Sequence, residues 1–185
     1  SMGRVYPGHK VLLIDDEQNE VGQNIEGEIV TTSNSPTKFL GYLNNKDKEE
    51  EMKTGDYLRT HDLAVKDKEG YFWYKGRSDD LIKSSGFRIG PAEIEDALIS
   101  NKAIVEAAVI GKPDKDRGQI VKAFVKLHKN YEPSKELIED IRNYVKENLA
   151  TYKAPREIEF VNNFVMTSSG KINRRVLRDN EKKYD

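Results

Sequence analysis

Cysteine is absent from the 185 residues. That excludes disulfide scaffolds, zinc–thiolate sites and thiol nucleophiles. Histidine is scarce: His9, His61 and His128 stand singly, so no multi-histidine metal centre is expected. An excess of one charge is also missing. The 31 Lys and Arg nearly cancel the 32 Asp and Glu, which argues against a polybasic field for nucleic acid or anionic lipid. No apolar run approaches the ~20 residues of a membrane-spanning helix, and no signal peptide precedes the first patterned residues. The expectation is a cytoplasmic protein with no membrane span and no nucleic-acid partner. Apolar residues reach 36%, enough for a packed core in one or two domains.

The pattern changes near Ser78-Asp79. Before it, strands and turns dominate. Lys10–Asp15 is a short apolar run, Gly27–Thr32 alternates, and Leu63–Lys66 with Tyr71–Lys75 flank the turn-rich Asp67-Lys68-Glu69-Gly70 as a hairpin. Lys46–Lys53 reads as a solvated helical turn or loop. After Asp79, helix and strand alternate. Gly90-Pro91 opens a helix, with Glu93, Glu95 and Asp96 suited to its positive end and Ile94, Ala97 and Leu98 as its apolar stripe. Ile104–Ile110 and Val121–Leu127 read as strands, the second half-buried with Lys122, Phe124 and Lys126 on its outer side. Ser134 caps a longer amphipathic helix, Glu157–Val161 is a short strand, and Asn173 to about Lys183 is a polar helix. The fold class is therefore α+β. A β-rich segment over 1–78 precedes a small α/β domain over 79–185, whose short sheet is flanked by helices. The first part (1–79) carries a net charge of −4 and the second +3.

Four clusters can carry chemistry. In Thr60-His61-Asp62, a carboxylate before a strand can accept bonds from a diol such as a ribose. Gly76-Arg77-Ser78-Asp79-Asp80 joins a flexible backbone to a planar cationic fork and an acidic pair. Lys83-Ser84-Ser85-Gly86-Phe87-Arg88-Ile89-Gly90 is a small-residue loop before a helix N-terminus, suited to a phosphate-bearing ligand. Thr167-Ser168-Ser169-Gly170-Lys171 presents one lysine. It is not a P-loop, because Val165 stands where glycine is required and Ile172 where Ser or Thr is. Each cluster taken alone is equally a solvated turn.

Their order and spacing together are specific. From about Gly27 to Arg178 the chain resembles the adenylate-forming (AMP-forming) acyl-CoA synthetase superfamily. GYFWYKGRSDDLIKSSGFRIGPAEIE at 70–95 is the strongest stretch, followed by 104–127, TYKAPR at 151–156 and SSGKINRRVLR at 169–178. The wording is most similar to the medium-chain acyl-CoA synthetase branch, and the likeness is to the C-terminal part only.

The resemblance implies roles. Asp62 and Arg77 would hold the adenosine ribose of ATP or AMP, and Arg88 would meet a nucleotide phosphate. Ser85 and Gly86 would line the CoA path, Asp79 would be the hinge between two domains, and Lys171 would be the catalytic cation of adenylation. The implied parent is an ATP-dependent carboxylate–CoA ligase that activates a fatty or short-chain acid. It would use CoA and Mg²⁺, the metal ligands lying outside this chain. The chain would then be the end of a large N-terminal domain, whose remainder is missing, plus the small C-terminal domain, and inactive by itself. Two departures stand out: His61 replaces the family's Gly in Thr-Gly-Asp, and Val165-Met166 replaces the usual Pro-Lys. An intact Thr54-Gly55-Asp56 lies six residues earlier, but the hairpin after Asp62 and the spacing to Arg77 favour Asp62. The alternatives are a peptide-synthetase adenylation domain and a non-catalytic interaction module. A nucleic-acid-binding sheet would need more aromatics than Phe124 on its central strand.

Overall fold

The computed structural model describes residues 1–37 and 39–181. It has two compact units, Ser1–Asp79 and Asp80–Asp185, and the chain is α+β.

The first unit is one antiparallel sheet. Its strands are β1 (Val11–Ile14), β2 (Glu26–Thr32), β3 (Lys53–Thr54), β4 (Tyr57–Lys66) and β5 (Phe72–Arg77), with helix α1 (Lys46–Glu51) before β3. The order is β1-β2-β4, and β3 and β5 both pair with β4. The expected hairpin over 63–75 is present, but β4 starts earlier and carries Thr60-His61-Asp62 within it. Asp67 shapes the hairpin turn: its Oδ1 accepts the Glu69 and Tyr71 N–H groups at 3.0 and 2.9 Å. Leu13, Ile29, Ala64 and Phe72 form the core of one face.

The second unit begins with the hairpin β6 (Ile82–Ser84) and β7 (Phe87–Ile89), followed by α2 (Pro91–Ile99), β8 (Ile104–Asp114) and β9 (Gly118–Leu127). It ends with α3 (Lys135–Asn148), β10 (Glu157–Phe160) and α4 (Arg174–Glu181). Strand β9 is central. It pairs antiparallel with β8 along its length and with β6 at Gly118, and parallel with β10. Helices α2 and α3 lay Ile94, Leu98, Ile141 and Val145 on Ala107, Val109, Val121, Ala123 and Val125. The i, i+4 spacing of each helical pair is what turns them to one side. Ser134 caps α3 as expected, its Oγ accepting the Leu137 N–H at 3.1 Å.

Strand β9 departs from the half-buried reading. Ile120 to Val125 are all buried, including Lys122 and Phe124. Alternation marked the face under α2 and α3, but Lys122 on the other face meets Glu181 of α4. Its Nζ stands 2.6 Å from Glu181 and 2.8 Å from Glu159. The expected end of α4 at Lys183 lies outside the described residues. Burial pulls the Lys122 ammonium pKa down, but hydrogen bonds to Glu159 and Glu181 outweigh it, leaving the pKa above the usual 10.5. A raised lysine contributes stability fully below the ordinary value and loses it only as pH climbs through the higher folded value.

Lys122→Ala removes the nearer cation of a buried pair and leaves Glu181 only Lys112 at 3.6 Å, so its cost should approach, without exceeding, the about 3–5 kcal/mol of a fully broken buried pair. Lys122→Met in a Glu181→Leu background is expected to recover most of that. Urea unfolding of the three variants at pH 7 checks the ranking, and wild-type stability should hold up to pH 10 and fall above it.

Candidate functional site

The Thr60-His61-Asp62 motif sits in a bulge of β4. Glu28 pairs with Leu63 and Val30 with Arg59, so two steps on β2 face four on β4. His61 takes φ 62°, the left-handed conformation in which glycine is at home and histidine is tolerated better than most residues. The exchange of His for Gly therefore keeps a glycine-like backbone. Buried Glu28 secures it, with Oε1 accepting the His61 N–H at 3.0 Å and lying 3.6 Å from His61 Nδ1. Arg59 forks onto the same carboxylate, Nε to Oε1 at 3.0 Å and Nη2 to Oε2. The Thr60 hydroxyl donates to the Ile29 carbonyl and accepts the Asp62 N–H.

Across the ladder, Asp62 is the register partner of Arg77. Arg77 Nη1 lies 3.3 Å from Asp62 Oδ1, while Nε and Nη2 clasp the two Asp79 oxygens at 2.8 and 3.0 Å. Ser78 Oγ donates to the His61 carbonyl at 3.3 Å. Asp62, Arg77 and Asp79 thus form one cluster in the first unit. Partial burial pushes the Asp79 carboxyl up, but the Arg77 hydrogen bonds and charge outweigh it, so its pKa lies below the ordinary 3.8. A depressed carboxylate stabilises the fold above its unfolded pKa and stops doing so as pH falls through the folded value. The Arg77–Asp79 pairing therefore contributes at neutral pH and is lost as acid protonates Asp79.

In the second unit the expected loop is a tight hairpin. Ser84 pairs with Phe87, leaving Ser85 (φ 49°) and Gly86 (φ 84°) as the two turn residues. Positive φ at both is the pattern of a type I′ turn. Arg117 braces the turn: its carbonyl accepts the Ser85 N–H and its Nη1 donates to Ser85 Oγ, both at 3.0 Å. Arg88 is exposed on β7, opposite Lys83 in register. Beside the turn lies a groove of about 670 Å³, lined by Ser84, Ser85, Phe87, Arg117, Arg142, Lys146, Tyr152 and Arg156 among others. The Phe87 and Tyr152 rings stack with centroids 4.2 Å apart and planes 14° off parallel. Four cations around an aromatic floor suit a polyanion bearing a flat ring. Lys171 is exposed in its own loop of the same unit.

Sequence reasoning missed Glu28, Arg117 and the Phe87–Tyr152 stack. A lone acid within the β-branched run Gly27–Thr32 was the available signal for Glu28. The ring pair joins residues 65 positions apart and left none. Glu95 also departs from expectation. It is buried, accepting the Val109 N–H and the Arg174 guanidinium, and is not a solvated partner of the helix dipole. Among the described residues no group of three or more His, Asp or Glu is arranged to hold a metal. No described helix is long and apolar enough to cross a membrane.

Residues 93–171 match the model of the AMP-binding enzyme C-terminal domain. Over 98% of its length the chain is 46% identical to 4-hydroxybutyrate–CoA ligase 1 of Metallosphaera sedula and 45% identical to human mitochondrial acyl-coenzyme A synthetase ACSM4. The chain belongs to the adenylate-forming acyl-CoA synthetase superfamily. Among solved structures, the anthranilate CoA ligase AuaEII with anthranoyl-AMP superposes with a TM-score of 0.82 at 38% identity, over 98% of this chain and 34% of that one. The chain spans about a third of the length of these superfamily relatives, covering 32% of each of the two curated ones.

Gly86 has open space around the position a Cβ would take, so Gly86→Ala tests the backbone alone. A left-handed non-glycine residue costs about 1–2 kcal/mol. The variant should lose that much stability in urea unfolding without loss of helix content.

Proposed function

We propose that the chain is the C-terminal part of an ATP-dependent, AMP-forming carboxylate–CoA ligase acting on a fatty or short-chain acid. In the first half-reaction a carboxylate oxygen attacks the α-phosphorus of ATP. The acyl-AMP bond forms and pyrophosphate leaves. In the second, the CoA thiolate attacks the acyl carbonyl and AMP leaves. The observation that carries the reading is the Asp62–Arg77 pair on the β4 bulge. A left-handed His61 takes the glycine position, and the Asp62 carboxylate, opposite the Arg77 guanidinium in register, can accept from a ribose diol.

The remaining roles divide between the units. Arg88 contacts a nucleotide phosphate. Lys171, at the tip of an exposed loop, stabilises the charge that gathers on the transferring oxygens. Ser85 and Gly86 line the pantetheine path. The groove beside them takes the CoA phosphates on Arg117, Arg142, Lys146 and Arg156 and its adenine on the aromatic pair. Asp79, at the last position of the first unit, is the hinge that exchanges Lys171 for the Ser85-Gly86 turn between half-reactions. The rest of the adenylation domain completes the site, and this chain alone does not turn over.

In the full-length ligase, Lys171→Ala should lower pyrophosphate exchange by about 10²–10³, the usual cost of one preorganised transition-state contact. Thioester formation from supplied acyl-AMP should persist. Equal loss in both assays would remove the lysine from the adenylation step.

Asp79→Pro tests the hinge. Proline holds φ near −65° and restricts Ser78 as well, so one half-reaction should suffer far more than the other at unchanged melting temperature. Proportional loss in both would make Asp79 a static partner of Arg77.

A further inference from the structure

The loop that presents Lys171 is shaped by bonds to itself. Met166 bridges to Ile172, and Asn173 N–H donates to the Val165 carbonyl at 2.8 Å. Thr167 N–H donates to the Lys171 carbonyl at 2.7 Å, and Lys171 N–H to Thr167 Oγ1 at 3.1 Å. Gly170 turns the chain with φ 76°. These bonds set the form of the loop without fixing its place on the domain. Ser168, Ser169, Gly170 and Lys171 are all exposed, so packing does not hold the tip; only Thr167 and Ile172 at its base are half-buried.

The fixing comes three residues later. Arg174 opens α4 and lays its fork on Glu95 of α2, Nε to Oε1 at 3.0 Å and Nη2 to Oε2 at 2.5 Å. Glu95 is 7% exposed, and its Oε1 also accepts the Val109 N–H of β8 at 2.8 Å. A planar fork on a carboxylate already oriented by a strand defines direction as well as distance. Two more charges continue the same face of α4 at i+4 and i+7. Arg178 Nη1 pairs with Asp80 at 2.6 Å, and Glu181 pairs with Lys122. Glu181 is the one fully buried residue among those of α4, with Val176 and Leu177 half-buried, so ion pairs orient this helix alongside modest apolar packing. Of its three anchors, Arg174 is the one next to the lysine.

We propose that Glu95 and Arg174 are a positioning pair that holds the Lys171 loop at the place adenylation requires. Neither touches a substrate; both act through Lys171. The inference rests on the adenylation role given to Lys171 above, and two readouts separate its failure from the failure of that role.

The first readout needs no activity. The chain has no native cysteine, so Ser168→Cys gives a single site for a nitroxide label. Glu95→Gln keeps an oxygen for the Val109 N–H while removing the charge and half of the fork. It should sharpen the nitroxide spectrum to that of a freely mobile loop. An unchanged line shape overturns the proposal. Should Glu95→Gln fail to fold, Arg174→Lys, which keeps the charge and loses the fork, should sharpen it part-way, and an unchanged spectrum there overturns it equally.

The second readout is kinetic, in the full-length ligase. Glu95→Gln should slow pyrophosphate exchange about tenfold and leave thioester formation from acyl-AMP unchanged. In a Lys171→Ala background it should add nothing, because the group it positions is gone. A further tenfold loss in that background, or equal loss in both half-reactions, would mean a general structural role and overturns the proposal. If the spectrum sharpens while Lys171→Ala leaves adenylation intact, the loop is positioned as stated and the role given to the lysine fails.

Discussion

A charge taken out of water must be met by a partner, and three of the four charges buried among the described residues sit at positions that decide the form of this chain. Glu28, Glu95 and Lys122 are each less than a tenth exposed. Each draws in a group from far along the sequence: Glu28 takes Arg59 and the His61 backbone, Glu95 takes Arg174, and Lys122 takes Glu181. An unmet charge in such a place would cost several kcal/mol. The segments carrying the partners therefore have little freedom to lie elsewhere. Two of those segments carry the residues assigned to chemistry. The Glu28 network closes on the bulge that holds Asp62, and the Glu95 pair closes on the helix behind Lys171. The buried ions are scaffolding for exposed chemistry.

The exposed residues share a second device. His61, the Ser85-Gly86 turn and Gly170 all have positive φ. At each, the chain reverses or bulges within one or two residues and presents a short polar segment on an otherwise regular ladder. A hairpin turn braced from its side by Arg117, or a bulge tied down by Glu28, holds its shape without being covered. That suits surfaces which must meet ligands of some size. The groove beside Ser85 follows the same economy, since β7 and the 151–156 segment each supply one ring of the stack and the cations come from the β8–β9 turn, from α3 and from Arg156 of the 151–156 segment.

Much of this was legible in the residues. Alternation and turn chemistry located β1, β2, β5, β8, β9, β10 and the second half of β4, but not β3 or the β6–β7 hairpin. Pro91 and Ser134 marked the helix starts, and the α2 stripe named Ile94 and Leu98 of the core that forms. The candidate clusters were legible by motif, and the first three condense into two local geometries, the Asp62–Arg77–Asp79 cluster and the Ser85-Gly86 hairpin. Lys122 was misread because a lysine alternating with valines and alanines has the pattern of a solvated face, and its cover comes from a helix nearly sixty residues later. Glu95 was misread for the same reason. An acid in the first turns of a helix is ordinarily a surface group, and only the arrival of Arg174 beside it makes burial affordable.

Sequence by itself determined the local matters: the α+β alternation, the hairpin over 63–75, the helix starts at Pro91 and Ser134, and the motifs that place the chain in its superfamily. These depend on side-chain period and backbone preference within a few residues, which a linear pattern records. Tertiary structure alone decided which charges are buried, which rings stack, and that His61 stands in a left-handed bulge. Those outcomes depend on groups 30 to 80 positions apart. Their energies exist only once the sheet has brought them within hydrogen-bonding distance in a medium from which water has been excluded.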